Sequence, residues 1–204
     1  MNAGFGLNTS QGRIKWLASS TSDAWLEQAI ANPIELLIDH AHCERKAAGS
    51  AVQMMFRYLC DPGLAEVLSP LAREELEHFE IVLNLLISRG NYLEPLAAPP
   101  YGALLLKQTR KTEPERMLDS FLVAALIEAR SHERMSLLAT HSPDNELRKL
   151  YGNLLASEAR HFGLFLKLAE ERFEKELIFP RLESLAFEEA RILSTLYPQP
   201  RMHS

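Results

Sequence analysis

Two short runs constrain this chain more than anything else in it. Arg73-Glu-Glu-Leu-Glu-His-Phe79 and Ser157-Glu-Ala-Arg-His-Phe162 each place a glutamate three residues before a histidine. On an α-helix, residues three apart share one face, with Cβ atoms about 5 to 6 Å from each other. Glu75 with His78, and Glu158 with His161, can therefore each grip one metal ion. With 22 glutamates and 7 histidines in 204 residues, chance alone supplies that spacing about 0.75 times. Its meaning comes from what accompanies it. Glu44 lies 31 residues before Glu75 and Glu128 lies 30 before Glu158, so the two halves repeat with offsets of 84 and 83.

Glu, Glu-x-x-His, Glu, Glu-x-x-His on four successive helices is the ligand set of carboxylate-bridged di-iron and di-manganese bundles. The helix faces around these residues are otherwise apolar. About Glu44 they read Leu37, His40, Ala41, Ala48, Ala51, Val52 and Met55, and about Glu128 they read Phe121, Ala124, Ala125, Ser131, His132, Met135 and Ala139. An uncompensated buried carboxylate costs several kcal/mol, so four facing inward demand cations. Carboxylate and imidazole donors suit iron or manganese rather than a thiolate-seeking metal. By analogy with such sites, Glu75 and Glu158 bridge two ions, Glu44 and Glu128 bind one each, and His78 and His161 complete one each.

The expected fold class is all-α: a ferritin-like four-helix bundle with a long crossover between its second and third helices and additional short N- and C-terminal helices. One domain spans residues 1–204. Residues 1–20 are rich in Gly, Ser, Thr and Asn and read as loosely ordered, with Arg13, Lys15 and Trp16 as surface contacts. A short helix covers about Ser22 to Ala31. Pro33 opens the first bundle helix, which runs to about Cys60 before Asp61-Pro62-Gly63 stops it. The second carries Glu75 and His78 up to Arg89-Gly90, with a break expected at Ser69-Pro70.

Residues 90–112 then form the connection, holding Pro95, Pro99, Pro100 and a short helix near Tyr101 to Lys107. So long a connection needs a purpose, and a crossover supplies one: a 27-residue helix is about 40 Å long, which 23 residues of chain can exceed. Thr112-Glu-Pro-Glu115 reads as a capping box that starts the third helix, extending to about Thr140. Ser142-Pro143 caps the fourth, whose face holds Leu147, Leu150, Leu154, Phe165 and Leu168. A terminal amphipathic helix covers about Pro180 to Leu196.

With 47% hydrophobic and 24% charged residues, the chain suits one compact domain with a sizeable core. It has no apolar run of 18 residues and no signal-like start, so a cytoplasmic protein with no membrane partner is expected. Cys43 and Cys60 are too few for a disulfide scaffold and read as small reduced packing groups. The net charge of −5 does not exclude nucleic acid, because two divalent ions on four glutamates would bring it to about −1.

Several neighbours admit two readings. His40 and His132, one turn from Glu44 and Glu128, either hydrogen-bond a ligand and relay protons or are buried, satisfied histidines. Asp39 and Arg160 either orient ligands or lie in surface pairs. Ala41, Ala48, Gly49, Ala124 and Ala125 leave room for a substrate or let helices pack closely.

The order Glu44, Glu75-x-x-His78, Glu128, Glu158-x-x-His161, with the flanking runs Asp39-His-Ala-His-Cys-Glu-Arg-Lys-Ala-Ala48 and Ser157-Glu-Ala-Arg-His-Phe162, resembles the tRNA methylthio-isopentenyladenosine hydroxylase (MiaE) family. The resemblance runs from about Trp16 to the end of the terminal helix. It implies a non-haem di-iron, O2-dependent monooxygenase that hydroxylates the isopentenyl side chain of a hypermodified adenosine beside the anticodon in tRNA. It also implies two iron ions, dioxygen as co-substrate, and electrons from an external reductase, since the chain has no Gly-x-Gly-x-x-Gly fingerprint. A monomer or small homo-oligomer is expected. For the anticodon loop, Lys107, Arg110, Lys111 and Arg116 are candidate phosphate contacts, diluted by Glu113 and Glu115. Tyr101, Trp16 and Trp25 are candidate stacking platforms.

The competing readings are an iron-oxidising or storage protein of the ferritin kind, another di-metal carboxylate enzyme such as a manganese catalase, desaturase or rubrerythrin-like peroxidase, and a metal-free bundle. Ferritin-like storage predicts a large hollow assembly. A rubrerythrin-like enzyme usually carries a cysteine-rich module that two isolated cysteines cannot build.

Overall fold

The computed structural model describes residues 16–204, so Arg13, Lys15 and most of the segment expected to be loosely ordered lie outside the described residues. Seven helices and no strand occur among the described residues: α1 (Asp23–Ala31), α2 (Pro33–Arg57), α3 (Pro62–Ser88), α4 (Tyr101–Leu106), α5 (Glu115–His141), α6 (Asn145–Glu170) and α7 (Lys175–Ile192). The fold class is all-α, of the ferritin-like helical-bundle kind. Backbone contacts divide it into two compact units, one holding residues 31–98 and 200–202, the other the described residues up to 30, 99–199 and 203–204.

The first unit is built on the hairpin of α2 and α3, which pack against each other. Pro33 sits in the first turn of α2, where its missing N–H costs nothing. Asp61 caps α3 by accepting from the Leu64 backbone N–H at 3.2 Å. At the other end of α3 the chain turns through Gly90, whose φ of +74° is easy only for glycine. Gly90 N–H bonds to Ile87 and Asn91 N–H reaches back to Leu86, closing the helix in a Schellman motif.

The break expected at Ser69-Pro70 does not occur, and α3 runs through Pro70 without interruption. Proline in a helix interior costs about 3 kcal/mol. Leu64, Leu68, Leu71 and Val82 are all almost fully buried along the same helix, and each such side chain returns about 1.5 to 3 kcal/mol. Packing therefore outweighs the proline, which is itself exposed. On α2 the buried stripe ends at Met54, with Val52 exposed and Met55 only half-buried, unlike the expected face.

The second unit is organised by α5 and α6, with α7 and α4 packed around them and α1 reaching α5 through Trp25, which lies under Arg134. From Leu118 to Met135 nearly every residue of α5 is buried. The capping box expected at Thr112 is not formed. The helix starts at Glu115 with Pro114 at its N-cap and no side-chain cap there, which leaves Thr112 too far upstream, and the Glu113 carboxylate accepts from Met117 N–H instead. Helix α6 is capped by Asp144 rather than by Ser142-Pro143. The Asp144 carboxylate accepts from the N–H groups of Glu146 at 2.9 Å and Leu147 at 3.2 Å.

Helix α7 begins five residues before the expected Pro180 and ends at Ile192, with Pro180 exposed on it. The start is set at Glu174, and Ile178 and Leu182 on either side of the proline are buried. Asp119, fully buried on α5, receives Arg110 from the crossover and Arg181 from α7.

Candidate metal centre

In the α2–α3 unit, Glu44 comes from the middle of α2 and Glu75 and His78 from one face of α3. All three are buried, at 4%, 1% and 5% exposure. His78 Nδ1 lies 3.7 Å from a Glu44 oxygen and 3.6 Å from a Glu75 oxygen. His40, one turn before Glu44, places Nε2 at 2.5 Å from Glu44 Oε1.

Burial works to raise the Glu44 carboxyl, but the His40 imidazole and the nearby His78 hold it well below the usual carboxylate range. Burial likewise opposes a charged His78, and the Glu44 and Glu75 carboxylates outweigh it, pushing that histidine up to about 10. With no metal bound, a proton on His78 thus offsets part of the charge collected there.

In the α5–α6 unit, Glu128 is buried on α5, and Glu158 and His161 are buried on α6. Glu158 Oε1 lies 3.9 Å from His161 Nδ1, as the three-residue spacing requires. Among the described residues, Glu75, His78, Glu158 and His161 are buried carboxylate and imidazole donors of the kind that can hold a metal ion. The donors are carboxylate oxygens and imidazole nitrogens, a set that fits iron or manganese. The one thiol close by, Cys43, is held protonated: removal from water and the adjacent Asp39 carboxylate push it well above its ordinary value.

Other expectations are corrected. Asp39 is not in a surface pair. It is 2% exposed and accepts from the Met202 backbone N–H at 2.7 Å, with Arg201 at 3.8 Å. Cys60 is exposed rather than a packing group. His132 is half-buried, and burial lowers its pKa.

The proposed RNA contacts fare unevenly. Trp25 is 1% exposed with the Arg134 guanidinium 4.3 Å over its ring, and Tyr101 is 3% exposed and stacked on His203 at 5.1 Å. Neither ring offers a face to a base. Arg110 spends its guanidinium and backbone N–H on Asp119. Lys107 and Lys111 are exposed, and Trp16 is half-buried, edge-on to Phe162 at 5.0 Å.

Sequence reasoning missed a second buried polar cluster, carried by the run Glu128-Ala-Arg-Ser-His-Glu-Arg134. Arg130, Glu133, Arg134 and, from α7, Glu189 are all at most 5% exposed. Arg130 grips Glu189 through two parallel bonds of 2.8 and 2.9 Å and also contacts Glu133. The available signal was the charge crowded into an otherwise apolar helix.

Residues 8–204 match the family described as tRNA-(MS[2]IO[6]A)-hydroxylase (MiaE). A tRNA 2-(methylsulfanyl)-N(6)-isopentenyladenosine(37) hydroxylase of Pseudomonas putida is 40% identical, over 93% of this chain and 92% of the relative. The enzyme of the same name from Salmonella typhimurium is 28% identical, over 94% and 88%. A solved structure, titled as protein 43 with aldehyde deformylating oxygenase activity from Synechococcus, is 68% identical with a TM-score of 0.91, covering 94% of this chain and 96% of that one. With a match over residues 8–204 and a relative 40% identical over 93% of it, the chain belongs to the tRNA-(MS[2]IO[6]A)-hydroxylase (MiaE) family of enzymes.

Proposed function

We propose that this protein is a non-haem di-iron monooxygenase that hydroxylates the isopentenyl side chain of a methylthio-isopentenyladenosine next to the anticodon in tRNA. The observation that carries this reading is the family match across residues 8–204, joined to a buried carboxylate and imidazole cluster that fits a metal. In this reading Glu44, Glu75, His78, Glu128, Glu158 and His161 would together hold two iron ions. Bound there, iron would supply the activation of dioxygen that oxidation of an unactivated carbon requires.

The chain's own contribution is placement and dryness. All six side chains are at most 7% exposed, so the donor groups themselves are shielded from bulk water. His40 Nε2 holds Glu44 Oε1 in a fixed direction and can keep a proton beside it. Electrons come from an external reductase, and the protein acts in the cytoplasm, where its tRNA substrate resides, as a monomer or small homo-oligomer. No helix among the described residues is long and apolar enough to cross a membrane. Storage and catalase readings are not favoured beside a family named for a hydroxylase.

The test is aerobic incubation of the reduced, iron-loaded protein with tRNA bearing the isopentenyl modification, followed by mass analysis of its nucleosides. A gain of one oxygen on the modified adenosine is expected. Glu158→Ala should abolish turnover while the chain stays helical, and full activity in that variant would remove the ligand assignment.

The 68% identity to a protein titled for aldehyde deformylating oxygenase activity favours one further reading: the same centre also accepts an aldehyde and, with O2 and electrons from the external reductase, cleaves the bond to its formyl carbon, giving formate, water and the hydrocarbon one carbon shorter. Assaying formate from an added aldehyde under the same conditions, beside the tRNA reaction, tests it. Absence of formate under conditions where tRNA is hydroxylated would exclude it.

A further inference from the structure

We propose that the buried ion network on the back of α5 fixes the rotation of that helix and thereby aims Glu128, making Arg130 and Glu189 positioning residues for the metal centre. At about 100° per residue, Arg130, Glu133 and Arg134 occupy the face roughly 140 to 240° round from Glu128. One side of α5 therefore carries the ligand and the other carries the network.

Every nitrogen of the Arg130 guanidinium is engaged. Nε and Nη2 bond the Glu189 carboxylate, Nη1 bonds Glu133 and the Thr21 hydroxyl at 3.2 Å, and Nη2 also bonds the Ser19 carbonyl at 2.9 Å. The Thr21 hydroxyl donates to Glu133 at 2.7 Å and accepts from Arg134 Nε at 3.3 Å. The Tyr101 hydroxyl, from α4, donates to Glu189 at 3.2 Å. Arg134 Nη2 bonds the Ser204 carbonyl at 2.7 Å. Two arginines and two glutamates balance in charge, and the planar fork of Arg130 fits the Glu189 carboxylate in one orientation only.

Burying four ions is a poor way to gain stability, because well-packed apolar side chains do as well or better. What such a set provides is geometry. A turn of α5 by one residue would strand the whole network, because the Arg130 fork meets the Glu189 carboxylate in one orientation only. Glu128 lies two residues from Arg130, so its direction follows the same constraint. The inference rests on Glu128 being a metal ligand.

The experiment uses cobalt(II) as the probe metal in the full chain, reading ions bound per chain, affinity by chelator competition, the visible spectrum, and the urea midpoint. Arg130→Lys keeps the charge and loses the fork; Arg130→Met with Glu189→Leu makes the pair apolar; Glu128→Ala is the reference for a lost ligand. Both network variants should bind cobalt at least about tenfold more weakly, with a changed spectrum, and the apolar pair should unfold at the parent's midpoint or above it. A network that is merely structural would move the urea midpoint and leave the cobalt spectrum alone. Parent-like affinity and spectrum in the network variants, with Glu128→Ala impaired, would overturn the inference. A parent-like Glu128→Ala would instead remove the ligand assignment beneath it. Should the apolar pair not fold, Arg130→Lys decides.

Discussion

His40 places Nε2 at 2.5 Å from Oε1 of Glu44, one turn away on α2, with both side chains buried. A carboxylate held by a hydrogen bond on one oxygen presents the other in a defined direction, which lowers the ordering cost of binding an ion. Loss of such a partner typically costs 10 to 100-fold in metal affinity. His40→Ala is therefore expected to weaken binding about 10 to 100-fold, measured by competition with a chelator. Helical content should not change. Unaltered affinity would show that His40 is only a packed histidine.

Metal binding should depend on pH through His78. Its folded pKa is pushed up to about 10, from an ordinary value near 6.5. A group raised in this way stabilises the metal-free fold fully below about pH 6.5, and that contribution is lost as pH rises through about 10. A ligand imidazole must be neutral to bind, so loading releases its proton, and affinity rises with pH until that proton is gone. Calorimetric titration at neutral pH in buffers of different ionisation enthalpy should detect this release. His78→Ala should release one proton fewer.

Asp119 is the clamp between crossover, α5 and α7. Burial opposes its charge, but Arg181 and Arg110 hold its pKa below the ordinary value. A depressed carboxyl contributes stability that is present above its unfolded pKa of about 3.9 and lost as pH falls through the lower folded value. Asp119→Asn should cost about 2 kcal/mol at neutral pH, somewhat less than the 3–5 kcal/mol of a fully buried pair, because both arginines reach solvent. The difference from the parent should shrink in urea titrations as pH drops below about 4. A constant difference would contradict the electrostatic origin.

What the sequence revealed, and what it hid, divides by range. Glu75 with His78, and Glu158 with His161, were legible because three-residue spacing is a local property of a helix. The approach of Glu44 to His78 was legible because the order Glu, Glu-x-x-His repeats in the two halves. Caps were misread because Thr112 and Ser142 carry the right chemistry beside a residue that the backbone uses instead, Pro114 in one case and Asp144 in the other. Arg130 and Glu189 lie 59 residues apart and meet only through packing, so no window of sequence contains the pair. Trp25 and Tyr101 read from sequence as faces for RNA because aromatic rings have two uses, and only burial distinguishes them.

Pro70 provides the remaining prediction. It lies inside α3, five residues before Glu75, with no N–H to complete the ladder and a ring that crowds the preceding turn. Leu68 and Leu71 are buried on either side of it while Pro70 itself faces solvent. Replacing it removes the backbone penalty without opening a cavity. Pro70→Ala should raise stability by about 1 to 3 kcal/mol. The urea midpoint should rise with an unchanged slope, since the surface exposed on unfolding is nearly the same. Metal stoichiometry should stay at the parent value if Leu64, Leu68, Leu71 and Val82 alone fix the line of α3. A more stable variant that binds less metal would instead show that the proline bends the helix to bring Glu75 and His78 into place.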